Sequence, residues 1–148
     1  MILNSEKNRQ AYEYYLSKKA GRSMPSRNDL DPVEMVAFLP HIILLDVSYD
    51  PLDFRYRLVG TFFYDYWAAE YTGLLMSEIP HQRSPSKIWE NLERTVRDKR
   101  PFSSDIPYVG PKQDVLKAED VIMPLSSDDR SVSMIFVCVD YIWKAPGE

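Results

Sequence analysis

Few residues in this 148-residue chain have the type and spacing that chemistry needs. His41 and His81 each follow a proline, one opening an apolar run and the other in a loop-like stretch. Nucleophilic catalysis needs a serine or cysteine backed by a base, and no Gly-x-Ser-x-Gly turn is present. The single cysteine, Cys138, stands among Phe136, Val137 and Val139, where a small buried hydrophobe is the simpler reading. One cysteine, no paired histidines and no Asp/Asn-rich loop leave no metal site to expect. The five glycines are never clustered, so no phosphate-cradling loop is expected either.

Carboxylate pairs and arginines remain. Asp29 and Asp31 flank a turn, while Glu119 and Asp120 are neighbours on an extended run, so their side chains leave opposite faces. Capping and surface solvation explain both pairs more simply than acid–base work. Arg22 and Arg27 carry forked guanidinium groups that either pin their own loop, through Asp29, Asp31 or Asp46, or grip a partner's carboxylate. Pinning is the simpler reading. The densest feature is aromatic: "FRYRLVGTFFYDYWAAEY", residues 54–71, holds eight of the nineteen aromatic rings. Such rings either fill a core or frame a pocket, and filling is the commoner outcome because interiors pack densely.

The elements that must position these groups can be read in order. A helix is expected from about Ser5 to Lys19, stopped by Gly21, with Tyr12, Tyr15, Leu16 and Lys19 on one face. Asp31, Pro32 and Glu34 mark a second, short helix that Pro40 ends near Leu39. "HIILLDV" is a buried strand, and "FRYRLVG" a strand with one wet side. Thr61 caps a predicted helix to about Tyr71, with Gly73 as its stop, which places Phe63, Trp67 and Tyr71 on one face. A longer helix spans 84–100: Ser84 caps it, Ile88, Leu92 and Val96 recur beside Trp89, and Glu90–Arg94 and Glu93–Arg97 pair. Strands at about 103–109, 115–124 and 132–143 complete an α+β chain, a five-stranded antiparallel sheet with helices on one face, preceded by an N-terminal helix. The last strand, apolar at both parities, belongs at the centre.

Composition bounds the function. A net charge of -4 and pI near 5.2 argue against general attraction to nucleic acid or anionic membrane. No apolar run approaches the roughly 20 residues that span a bilayer, and "MILNSEKNRQ" is no signal peptide. The expected location is the cytoplasm.

Particular residues sharpen the fold reading. Gly21, Arg22, Pro25, Arg27, Asp29, Asp31 and Pro32, then Leu39–Pro40, then "YRLVGT" from Tyr56 to Thr61 form a pattern. With the later "TG" and "MPLSSDD", it resembles a family of small bacterial stand-alone PAS proteins. The chain departs from that family at "AAEYTG", where Tyr71 replaces a leucine and Ala68 and Ala69 replace glycine and a basic residue. The resemblance implies residues 1–30 as helix and extended lead-in, 31–143 as a PAS domain and 144–148 as a tail. It also implies a sensory or protein-interaction module. Some PAS proteins bind haem through histidine, but for His41 and His81 the plain strand-end or surface role is favoured. No cofactor is expected, and Cys138 is misplaced for flavin photochemistry.

The leading expectation is a non-enzymatic signalling module, homodimeric through Tyr12, Tyr15 and Leu16 and acting on a further signalling protein. The alternative is a sensor of an apolar or aromatic small molecule, in a pocket framed by Phe63, Trp67, Tyr71, Trp89, Leu92, Met123 and Phe136. A small isomerase-like enzyme ranks third, because no acid or base is expected to point into the cup beside a tyrosine.

Overall fold

The Ser5 side chain accepts a hydrogen bond from the Asn8 N–H and starts the first helix, α1, Glu6–Ser17. The computed structural model containing it describes residues 1–67, 69–108 and 110–144. The face that α1 buries is Asn8, Ala11 and Tyr15, spaced by three and four residues, not the Tyr12–Tyr15–Leu16 stripe. Small Ala11 lets the helix approach closely, and the Asn8 amide nitrogen donates to the Glu119 carbonyl and carboxylate. Counting apolar residues alone could not find that face. Tyr15 is 0% exposed and donates to the Pro124 carbonyl at 2.6 Å, so it belongs to this chain's own core rather than to a dimer contact. Leu16 is exposed and Tyr12 half-buried.

The stretch after Pro32 is a run of turns rather than a helix. Asp31 does cap, accepting from the Val33 N–H at 3.0 Å. Glu34 bonds instead to the Tyr14 hydroxyl and Lys18, at 2.8 and 2.9 Å, and the few residues between Pro32 and Pro40 are too short to propagate a helix. Arg22 bonds Asp29 at 2.7 Å and also the Lys18 and Lys19 carbonyls, tying the loop to the end of α1. Among the described residues, Arg27 reaches only the Leu30 carbonyl.

Five strands follow: β1 Ile42–Ser48, β2 Asp53–Val59, β3 Phe102–Pro107, β4 Val115–Leu125 and β5 Met134–Trp143. They form one antiparallel sheet in the order β2-β1-β5-β4-β3, with the apolar β5 at the centre. The sheet divides two cores by parity. Ile43, Leu45, Ile122, Ile135 and Val137 face the middle of the chain, whereas Ile42, Leu44, Met123, Phe136 and Cys138 face α1. Gly60 sits where β2 leaves the sheet; a Cβ there would run into the Pro40 carbonyl, so the close approach requires glycine.

The expected helix from Thr61 to Tyr71 is only a 3₁₀ turn, Thr61–Asp65. Aromatic residues are modest helix formers, and here ring packing outweighs propensity. A second 3₁₀ turn, Met76–Glu78, leads to the long helix α2, Lys87–Asp98. Its cap is Ser86, not Ser84, and the ion pairs made along it run from Arg94 and Arg97 to Asp98 rather than from Glu90 and Glu93. Beyond Lys144, the tail assigned to 144–148 lies outside the described residues.

Candidate functional site

Although the predicted helix is absent, the rings it was to align still meet. Phe63 and Trp67 have centroids 4.9 Å apart, and Trp67 and Tyr71 5.1 Å. Tyr56 from β2 joins Trp67 edge-on at 6.0 Å, and the Trp67 indole N–H donates to the Tyr141 hydroxyl of β5 at 2.8 Å. The loop is thereby fastened over the inner face of the sheet by rings rather than by helical backbone bonds. Its backbone is held at the β2 edge by Tyr56 N–H to Leu74 and Gly73 N–H to Tyr56.

These elements frame a space instead of filling it. A cavity of about 700 Å³ lies between the sheet and its cover. Its sheet wall includes Ile43, Leu45, Ile122, Val137 and Tyr141, and its cover includes Trp67, Tyr71, Met76, Ile88 and Leu92. The expectation of a filled core therefore does not hold. Of the seven expected pocket residues, Trp67, Tyr71 and Leu92 line the cavity. Phe63 and Trp89 stand one layer behind; Trp89 packs edge-on against Phe54 at 5.0 Å. Met123 and Phe136 are on the wrong side of the sheet, in the core beneath α1. A one-residue step along a strand reverses the face, so Ile122 and Val137 hold the inward places.

The apolar wall has a polar floor that sequence reasoning did not assemble. Asp120 of β4, 7% exposed, faces the cavity. Its Oδ1 accepts from both the Ser104 N–H and hydroxyl of β3, at 3.0 and 2.7 Å. The Ser104 oxygen in turn accepts from the Asn91 amide of α2 at 3.0 Å. Burial pushes the Asp120 carboxyl up to about 7, against the lowering by Ser104, and Asp105 and Glu119 add repulsion. Among the described residues no cation lies within ion-pairing distance of it. Elsewhere in the cavity the Tyr56 hydroxyl donates to the Gln82 amide oxygen at 2.6 Å, and His81 lies 3.3 Å from the Tyr71 hydroxyl. His41 is at the other histidine site, stacked on Phe62 at 4.0 Å with its ring nitrogen 3.0 Å from the Val139 carbonyl.

Glu119 and Asp120 do point to opposite faces, but neither is a solvated surface group. Glu119 is 3% exposed and accepts from the Asn4 and Ser5 N–H groups and the Asn8 amide. Burial opposes its ionisation, yet these donors prevail and hold the carboxyl below its usual range. The signals for this floor were a charge at the inward parity of an apolar strand and Asn91 on the dry face of an amphipathic helix.

The PAS domain family matches residues 3–139 of the chain, which includes α1. Among solved structures, the chain is similar to a sensory box sensor histidine kinase from Vibrio cholerae, with a TM-score of 0.53 and 16% identity, over 76% of this chain and 90% of that one. At that identity the likeness concerns the fold. No curated protein matches the chain.

Proposed function

The chain belongs to the PAS domain family, and we propose that it senses a small molecule bound between the sheet and its aromatic cover. The observation that carries this reading is the cavity of about 700 Å³, largely apolar on its walls with a few polar groups, among them Asp120, Asn91 and Gln82. That size and lining suit a small-molecule site. Sequence reasoning ranked protein contacts first and ligand sensing second; the open cavity supports the reverse order.

Under this reading the signal still leaves through protein contacts, including a second copy of the chain. Exposed Leu16 and, at the half-buried edge of α1, Tyr12 are the residues we assign to that contact, with Tyr15 withdrawn. The route is short, because Glu119 anchors α1 and the adjacent Asp120 faces the cavity. An isomerase-like reading gains one element, since Asp120 is a buried acid in the cup. Two of its phenols are committed elsewhere, Tyr56 to Gln82 and Tyr108 to the Tyr66 carbonyl, whereas Tyr141 accepts from Trp67. We keep the protein non-enzymatic on the PAS family match.

Native against denaturing mass spectrometry tests the proposal. The expected result is a non-covalent mass retained at one per chain, or one per chain taken up from added N-phenylnaphthylamine, and lost on denaturation. A bare chain mass that takes up none would overturn it.

A further inference from the structure

Ser104 occupies only Oδ1 of Asp120; among the described residues Oδ2 has no hydrogen-bond partner. Oδ2 is not sealed in protein, because the enclosed side-chain atoms lacking a partner are Asn8 Oδ1 and Gln10 Oε1. The same holds for Asn91 Oδ1, whose amide nitrogen is spent on Ser104. The Ser104 hydroxyl proton goes to Asp120, so Asn91 must donate to Ser104 and turn its oxygen away. Both groups line the cavity. With Asp120 ionised, the floor therefore presents two acceptors, its Oδ2 and the Asn91 Oδ1, both beside Ser104.

Resting on the proposed sensor reading, we infer that the ligand carries a positively charged or N–H-rich nitrogen, an amine or protonated heteroaromatic base, on a flat apolar body, with the nitrogen on Asp120 and Asn91. A nitrogen donor satisfies both oxygens, and a charge-assisted bond to a carboxylate is about twice as strong as a neutral one. The wall above reinforces the choice. Tyr56, Trp67, Tyr71 and Tyr141 line the space, and aromatic rings attract cations to their faces. An anionic ligand would oppose ionisation of Asp120, which among the described residues no cation neutralises, and would gain no charge-assisted bond there. Around Asp120, Glu119 and Asp105 are acidic, Asp105 being paired with Lys117 at 3.2 Å, and Lys87 of α2 lines the cavity without an ion pair to Asp120 among the described residues. Gln82 and Tyr56 satisfy each other and do not weigh on the choice. A cation on Asp120 would also draw its raised carboxyl back toward ionisation, so binding takes up the mismatch that burial creates.

The test is displacement of bound N-phenylnaphthylamine by three compounds of one shape: naphthylmethylamine, naphthylmethanol and naphthoate. In the wild type the amine should compete at about tenfold lower concentration than the alcohol, with naphthoate the weakest. Asp120→Asn should still bind N-phenylnaphthylamine but lose the preference for the amine. Should Asp120→Asn lose its cooperative melt, Asn91→Leu takes its place and should shrink the preference several-fold. Equal competition by alcohol or naphthoate in the wild type, or a preference that survives in both variants, overturns the inference and leaves the sensor reading standing. Failure of the wild type to bind N-phenylnaphthylamine overturns both.

Discussion

At the scale of single residues, Asp120 is a carboxyl group held in an environment that disfavours its charged form. Its carboxyl is raised to about 7, so between about pH 4 and 7 the folded chain holds a proton that the unfolded chain has released. The sign follows: this group's contribution favours folding at low pH and is lost as pH rises through about 7. Glu119, held below its usual range, works in the opposite sense, so the whole-protein profile mixes the two. The difference between wild type and Asp120→Asn separates them. Asparagine keeps an acceptor for Ser104 and never ionises. Denaturant unfolding should show Asp120→Asn more stable by about 1–3 kcal/mol near pH 8, with the gap closing toward pH 5. A constant gap across that range would contradict the assignment. Side-chain roles of this kind were only half legible in the sequence. Strand alternation correctly sent Glu119 and Asp120 to opposite faces, but nothing in the local pattern said that both faces are covered. Met123 and Phe136 were misassigned for the complementary reason: in a run apolar at both parities, hydrophobicity does not say which face is which.

At the scale of elements, the two helices sit on different sides of the sheet and are held differently. Helix α2 uses its apolar stripe, which the spacing of Ile88, Leu92 and Val96 made plain. Helix α1 is held largely at its start, by Glu119 bonding Asn4, Ser5 and Asn8 and by Ser5 donating to Asp140 at 2.7 Å. Replacing Glu119 with Gln turns one acceptor into a donor facing a backbone N–H, a mismatch worth about 1–3 kcal/mol. Hydrogen exchange of Glu119→Gln should therefore show lost protection in the first turns of α1, with β1 and β5 amides unchanged. Unchanged protection in α1 would show that its apolar contacts suffice. The weakest element readings, Asp31 to Leu39 and Thr61 to Tyr71, share a cause. Both carry good start signals, and in both tertiary contacts claim the residues that would have extended the helix, Glu34 in one case and Phe63 with Trp67 in the other.

At the scale of the whole molecule, the order of elements was legible because strands and α2 have strong period and clear breakers. The antiparallel β2-β1-β5-β4-β3 sheet and the PAS family match agree with that order. No described helix is long and apolar enough to cross a membrane. What could not be read was volume. Whether eight aromatic residues fill a space or surround it depends on angstrom-scale placement of irregular backbone, and composition carries no record of that. The account rests on this space being open to a ligand. Ala118 of β4 lines it, and the ring of Ala118→Phe should intrude on the space between sheet and cover. The most direct measurement is a fluorescence titration of wild type and Ala118→Phe with N-phenylnaphthylamine, both checked for a cooperative melt. Saturable binding at one per chain in the wild type, lost in Ala118→Phe, is the predicted result. Equal binding by both proteins, or none by the wild type, would contradict it.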